Sequence, residues 1–202
     1  GAGTLTLSGA NTYTGATTVN GGALLVNGSI TSDVTVLNGL LGGSGTVFGD
    51  IDVQAGGTVS AGNTPGHLIV DGSYSQIGTM LAEIGGMGQG TAYDWLEVIG
   101  GPGTATLGGV IDMARVDGFM PLPGAYFDIV TATGGITNPN LSGVTFDSGD
   151  AQTGMVWWAS IESLPGGGEA LRLQAAPEPT TLTLLGLGGL ALLRRRRRHP
   201  AS

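Results

Sequence analysis

The fold is decided by residues 17–53, which read TTVNGGALLVNGSITSDVTVLNGLLGGSGTVFGDIDV. Within this stretch Val19, Val36 and Val53 recur at one constant spacing, each inside a short run of β-prone residues. These runs are too short and too often interrupted by glycine to form helices. A period of about 17 to 19 residues is typical of a solenoid, in which each coil pairs with the next at about 4.8 Å and apolar side chains stack inward.

Polar and apolar residues alternate in such runs, so we expect side chains such as Leu5 and Leu7 to face inward. Asn-Gly pairs supply the positive φ that sharp corners need, and they occur at Asn20-Gly21, Asn27-Gly28 and Asn38-Gly39. An Asn-Gly pair also suits a two-residue hairpin, so a meander of hairpins is the alternative. Because the period is fixed, we predict an all-β fold that forms a right-handed parallel β-helix.

The pattern changes at about residue 86, where a glycine-rich connector leads into runs with bulkier aromatic residues. We predict strands at Tyr93–Ile99, Ala105–Met113, Tyr126–Val130, Met155–Ile161 and Leu171–Leu173. These strands indicate larger coils or a small β-sandwich that closes the end of the solenoid, since an uncapped end exposes a sheet edge. The predicted organisation is a solenoid over residues 1–85, a β-rich capping region over 86–176 and a tail over 177–202.

Composition limits the function further. Residues 1–176 hold two arginines against 14 acidic residues, a net charge of −12, which excludes nucleic acid as a partner through phosphate contacts. Cysteine is absent, so neither disulfides nor thiol chemistry contributes. Glycine supplies 40 of the 202 residues but not at every third position, which excludes collagen. The chain starts at Gly1 and not at Met, so we expect an N-terminal part to be missing.

The tail has three parts in a fixed order. Pro177, Glu178 and Pro179 come first, an uncharged apolar run from Thr180 to Leu193 follows, and Arg194, Arg195, Arg196, Arg197 and Arg198 close it. Arginines remain on the cytoplasmic side of a membrane, so this order predicts a short transmembrane-like helix that stops transfer of the exported chain. The run has 14 residues where a spanning helix needs about 20, which favours transient retention over permanent anchoring.

This arrangement resembles the PEP-CTERM sorting signal of Gram-negative bacteria. The resemblance implies export through the inner membrane, recognition by an exosortase-type membrane enzyme, cleavage near Pro177-Glu178-Pro179, and delivery to the cell surface or an exopolysaccharide matrix. The apolar run would hold the chain in the inner membrane transiently, and the arginines would fix its orientation.

The N-terminal part carries a second resemblance. Residues 3–15 read GTLTLSGANTYTG, and TTVN at 17–20 and LLVNG at 24–28 follow; residues 61–70 read AGNTPGHLIV. Over residues 1–85 the chain resembles bacterial surface proteins with autotransporter-associated β-strand repeats: residues 1–28 are similar to the repeat itself, and residues 61–85 are similar to the stretch that follows it. This implies a β-solenoid presented outside the cell, and it implies no catalytic residue.

Candidate chemical groups are few. Asp50 and Asp52 lie two residues apart on one strand face, and a solvated outer face explains them best. His67 has only His199 as a further histidine, too little for a metal site or a Ser-His triad. For Arg115 we expect a structural salt bridge with Asp112 or Asp117.

Trp157 and Trp158 are adjacent, so in a strand their side chains face opposite sides. One would pack in the core, while an exposed one could stack on a sugar ring. We therefore predict an exported, non-enzymatic structural or adhesin-like protein without catalytic, metal or cofactor sites. The alternative is a polysaccharide-active or polysaccharide-binding β-helix.

Overall fold

The computed structural model describes residues 1–138, 141, 145–148 and 155–177. In these ranges the chain forms strands and turns and no helix. The first nine strands are β1 Thr4–Leu7, β2 Ala10–Asn11, β3 Thr17–Val26, β4 Ser29–Ile30, β5 Val34–Gly42, β6 Thr46–Val47, β7 Ile51–Ser60, β8 His67–Asp71 and β9 Tyr74–Gln76. The others are β10 Thr79–Ile84, β11 Trp95–Ile99, β12 Ala105–Thr106, β13 Val110–Arg115, β14 Tyr126–Ala132, β15 Ile136–Thr137, β16 Thr145–Ser148, β17 Met155–Ser163 and β18 Glu169–Pro177.

The strands form two sheets between which the chain alternates. The first sheet runs in the order β1-β3-β5-β7-β10-β13-β16, with β9, β12 and β15 alongside. The second runs β2-β4-β6-β8-β11-β14-β18-β17. Among the described strands the pairs are parallel, except that β18 is antiparallel to both β14 and β17. The all-β prediction is confirmed, and the alternation between parallel sheets is consistent with a β-helix.

The register follows the sequence period at the N-terminal end. Val19 pairs with Val36 and Val36 pairs with Val53, as their constant spacing predicted. Further along, Ile51 pairs with Tyr74 and Thr79 pairs with Val110, so the paired residues lie progressively farther apart in sequence. The stretch of chain between paired residues therefore lengthens towards the C-terminus, and both sheets continue past residue 85.

Both sheets contribute to one hydrophobic core. Val36, Leu41 and Val53 enter it from the first sheet and Val47 and Val70 from the second, all at 0% exposure. Stacked apolar side chains of this kind stabilise the fold by roughly 1.5–3 kcal/mol each when fully buried.

Leu5 differs from the expectation that it faces inward: it is 59% exposed. It lies in β1, which is the terminal strand of its sheet in this chain and pairs on one side with β3. Leu7, on the same strand, is only partly buried and packs against the edge of the core.

The corners use glycine in two ways. Gly21 and Gly39 have φ of 122° and 99°, as the Asn-Gly pairs predicted, and they lie where the register of β3 and β5 shifts. Gly28 lies outside the left-handed region, so the prediction of positive φ is wrong there. Instead, a Cβ at Gly28 would lie 2.3 Å from the Gly9 carbonyl oxygen, so close packing against the preceding coil explains this glycine.

The predicted strand Ala105–Met113 is divided in two. β12 ends at Thr106 and β13 begins at Val110, with Gly108 and Gly109 between them. Gly109 has a φ of 67° and its backbone lies against the carbonyl oxygen of Gly78 in the neighbouring coil, which breaks the extended run.

Within the described ranges no helix is both long and apolar enough to cross a membrane. The transmembrane-like helix predicted for Thr180–Leu193 lies outside those ranges.

Candidate functional site

The sorting motif begins where the described chain ends. Pro177 is the last residue of β18, and its backbone is in register with Met155 of β17. Glu178, Pro179 and the arginines at 194–198 lie outside the described residues. Their roles in processing and orientation therefore stay predictions.

Asp50 and Asp52 serve the framework. Asp50 Oδ1 accepts a hydrogen bond from the Ser73 N–H at 2.7 Å, and the Asp50 N–H donates to Asp33 Oδ1 at 3.0 Å. Asp52 Oδ1 accepts from the Ser75 hydroxyl at 2.7 Å. These bonds tie successive coils together, because each joins residues 17 or 23 positions apart.

His67 lies in a cluster that the sequence did not reveal. Its ring stacks on Trp95 with 3.9 Å between centroids and 7° between planes, and its Nε2 lies 2.9 Å from Glu97 Oε2. The pairing of β8 with β11 brings these residues together over 30 positions. A signal was present in Trp95-Leu96-Glu97, since alternation in a strand places Trp95 and Glu97 on one face.

The same face carries a groove of about 260 Å³ on the second sheet. Its walls include Gln89, Trp95, Glu97, Asp128 and Thr131. The Trp95 indole N–H donates to the Thr131 hydroxyl at 2.8 Å, and the Gln89 side-chain amide donates to the Asp128 carbonyl at 3.0 Å. The lining of the groove is thus mainly apolar with several polar side chains in it, and its Trp95 ring is held in place by His67 and Thr131.

Arg172 joins the groove to the C-terminal hairpin. Its Nε and Nη2 donate to the two Asp128 carboxylate oxygens at 2.7 and 2.8 Å, and its guanidinium lies 4.1 Å from the Tyr126 ring centroid. The bond to Asp128 raises the pKa of Arg172, so the guanidinium remains charged at every ordinary pH.

The two tryptophans face opposite sides, as predicted. Trp157 is partly buried and its ring lies 5.8 Å from that of Phe127, whereas Trp158 is 63% exposed. Trp158 is in register with Gln174, which is in register with Tyr126 on the next strand.

Arg115 and the two acids that line the groove belong to different sheets. Arg115 ends β13 in the first sheet, where its Nη1 donates to the Phe119 carbonyl at 3.2 Å. Glu97 and Asp128 lie in the second sheet. Among the described residues, no three histidine, aspartate or glutamate side chains are grouped so that they could hold a metal ion.

Asp94 is a buried acid that sequence reasoning missed, at 2% exposure. Its Oδ1 accepts the Gly66 N–H at 2.9 Å and its Oδ2 accepts the Glu83 N–H at 3.1 Å, so one carboxyl group joins two segments of the chain. Burial raises the pKa of Asp94 to about 7, against the opposing effect of these two backbone donors.

A stability change with pH follows from this group. The folded-state pKa of about 7 exceeds the ordinary value of 3.8, so the folded state holds the proton more tightly than the unfolded state. The stabilisation that protonated Asp94 gives the folded state is fully present below the ordinary pKa and is lost as pH rises through about 7. The free energy of unfolding falls by about a few kcal/mol over this range. We expect the urea midpoint of Asp94→Asn to change less with pH between 4 and 8 than that of the parent.

The amide in Asp94→Asn keeps only one acceptor for two N–H donors, so the variant should also be about 1–3 kcal/mol less stable at pH 5. Asp117→Asn makes the same change of side chain at an exposed turn and is the matched control. If the urea midpoint of Asp94→Asn changed with pH as steeply as that of the parent, Asp94 would not be the group that makes stability depend on pH.

Two family models match the ends of the chain. Residues 1–26 match the passenger-associated-transport-repeat, and residues 175–198 match the PEP-CTERM protein-sorting motif. Together these matches imply export across the inner membrane to the cell surface of a Gram-negative bacterium, and the sorting motif implies processing by an exosortase membrane enzyme. More specifically, residues 1–26 carry a transport repeat and residues 175–198 a PEP-CTERM signal, so the predicted sorting signal is confirmed, and the predicted repeat is confirmed over residues 1–26.

Several known proteins are similar in sequence to parts of this chain. The adhesin BmaC autotransporter of Brucella suis biovar 1 (strain 1330) is 42% identical over 67 residues, which is 31% of this chain and 2% of that protein. An extracellular serine protease of Serratia marcescens is 32% identical over 142 residues, 68% of this chain and 14% of that protein. The chain thus spans a small fraction of these relatives' length.

Proposed function

We propose that the protein is a non-enzymatic scaffold or adhesin-like spacer, exported through the inner membrane and released at the cell surface or into the extracellular matrix. The observation that carries this proposal is the combination of a sorting motif at residues 175–198 with a body of hydrogen-bonded parallel strands. The motif supplies the route, and the body supplies an extended, rigid cargo.

The body is a right-handed parallel β-helix in this proposal. Parallel strands that alternate between two sheets support it, and crossovers between parallel strands are right-handed in about 98% of cases. The antiparallel hairpin β17–β18 acts as the cap of residues 86–176, because it ends the parallel series of the second sheet. Hydrogen-bonded coils supply stability to a chain that has no cysteine.

The absence of catalysis is part of the proposal and rests on how the acids are used. Asp50 and Asp52 bond to neighbouring coils, Asp128 is paired with Arg172, and Asp94 is buried between backbone donors. Each described carboxyl group named here thus has a framework partner, which leaves it unsuited to proton transfer with a substrate. The relatives called serine proteases are matched over at most 14% of their length, so their activity is not carried over.

The test replaces Pro177, Glu178 and Pro179 with alanine in the full chain, expressed in a Gram-negative host that carries an exosortase-type enzyme. We expect the parent chain to lose the arginines at 194–198 and to leave the inner membrane. The variant should keep them and stay in the membrane fraction, a nearly complete loss of processing. Intact mass of the C-terminus and fractionation measure both.

Pro165→Ala is the matched control, because this proline lies in the turn between β17 and β18 and outside the motif. It should be processed like the parent. Normal processing of the triple-alanine variant, or recovery of the parent from the cytosol with its arginines intact, would refute the proposed route.

A further inference from the structure

We propose that the outer face of the C-terminal part of the second sheet binds a neutral polysaccharide chain. This aromatic face is defined by Tyr126, Gln174 and Trp158, which lie side by side on β14, β18 and β17. The inference goes beyond the scaffold role, because it gives the cargo a ligand of its own.

The register places two exposed rings at a defined distance. Tyr126 pairs with Gln174 and Gln174 pairs with Trp158, so the three side chains point to the same side of the sheet. Two strand spacings separate the aromatic residues, about 10 Å in all. Tyr126 is 51% and Trp158 is 63% exposed, so both rings are open to a ligand. Rings at this separation suit two sugar units of one extended chain, each with its apolar C–H face on a ring.

Polar groups lie where sugar hydroxyls would need partners. The Gln174 side chain, between the rings, is exposed; its amide N–H donates to the Gly124 carbonyl at 3.5 Å, and its amide oxygen is an acceptor. The adjacent row holds Asp128, Arg172 and Ser160 in register. Arg172 contacts one side of the Tyr126 ring at 4.1 Å and is fixed by Asp128, so the ring is oriented before a ligand arrives.

The aromatic face continues into the groove, which favours a polymer over a single sugar. Asp128 lines the groove of about 260 Å³ and also holds Arg172, so the two surfaces share a wall. Within the groove Trp95 is stacked on His67 and its indole N–H is hydrogen-bonded to Thr131, so a third aromatic ring lies on the same sheet and is held in place.

Charge decides which polymer fits. Residues 1–176 carry a net charge of −12, and Arg172 on this face is already paired with Asp128. A polyanion such as a uronic acid polymer or a nucleic acid would be repelled. A neutral chain of equatorially substituted pyranose rings meets no such barrier.

The test is isothermal titration of the full chain with cellohexaose, and with an oligogalacturonate of the same length as the anionic comparison. We expect saturable binding of cellohexaose and at least tenfold weaker binding of the oligogalacturonate. Trp158→Ala and Tyr126→Ala should each weaken cellohexaose binding about tenfold, and Trp158→Tyr should retain most of it. Phe48→Ala is the matched control, since Phe48 is 47% exposed and lies away from this face.

Several outcomes would overturn the proposal. They are the absence of saturable heat with cellohexaose, equal affinity of the parent and both alanine variants for cellohexaose, and an equal loss of that affinity in Phe48→Ala. Sedimentation that shows self-association lost in Trp158→Ala would assign the face to a second copy instead. Thermal melts of each variant check that it is folded. Processing of the tail is measured separately, so a chain that is sorted normally and binds no sugar refutes this inference alone.

Discussion

Gly43→Ala should destabilise the protein by more than about 4 kcal/mol, an effect large enough to prevent folding in a marginally stable domain. Gly43 has a φ of 110°, which L side chains rarely adopt. An added Cβ would lie 2.3 Å from the Val26 carbonyl oxygen and 2.5 Å from the Val26 nitrogen. Both atoms are backbone atoms of the preceding coil, so neither can rotate away. The two coils would have to separate, which would break the hydrogen bond from the Gly45 N–H to the Val26 carbonyl at 2.8 Å.

Urea unfolding followed by circular dichroism measures this difference as a shift in midpoint at constant slope. Gly9→Ala is the matched control, because an added Cβ there meets nothing within 4 Å. It should change the free energy of unfolding by no more than about 0.5 kcal/mol. Equal midpoints for the two variants would show that the coils are not packed as closely as described.

Phe127→Ala should cost about 3–5 kcal/mol, the range for a fully buried aromatic side chain. Phe127 is 0% exposed and lies at the centre of three ring contacts, with centroid distances of 5.2 Å to Tyr93, 6.3 Å to Phe119 and 5.8 Å to Trp157. These partners belong to a long loop, a turn and the C-terminal hairpin. A cavity at this point therefore loosens several segments at once.

The control for this variant is Phe48→Ala, which removes the same atoms from a ring that is 47% exposed and should cost far less. Urea midpoints of both variants, read by circular dichroism, give the comparison. A cost for Phe127→Ala no greater than that for Phe48→Ala would rule out the central position of this ring.

The sequence predicted the N-terminal coils well because their information is local. Val19, Val36 and Val53 repeat at a constant spacing, so counting along the chain gives their register directly. The Asn-Gly corners at residues 20–21 and 38–39 follow from the conformational freedom of glycine. The opposite faces of Trp157 and Trp158 follow from the alternation of a strand.

The groove around Trp95 and the aromatic face were not predicted, because the stretches of chain that build them differ in length. His67 meets Glu97 over 30 positions, and Asp128 meets Arg172 over 44. The second pair also depends on an antiparallel hairpin and on an irregularity after Asp128. Without a constant period, counting along the chain could not place these side chains together. Asp94 was missed for a related reason, since its two donors lie 28 and 11 positions away.

Because the coils lengthen towards the C-terminus, a coil near the N-terminus can be duplicated with its pairing kept, whereas one near the C-terminus cannot. Near the N-terminus, residues 34–36 pair with the coils on both sides at the same spacing of 17 positions. In the proposed β-helix, a duplicated coil there would lengthen the molecule by one strand spacing, about 4.8 Å, and each neighbouring coil would keep its present pairing partners. Towards the C-terminus each turn has its own length, so a duplicated segment would find no matching neighbour. The length of the N-terminal part can thus change by whole coils, while the surface of the C-terminal part stays constant.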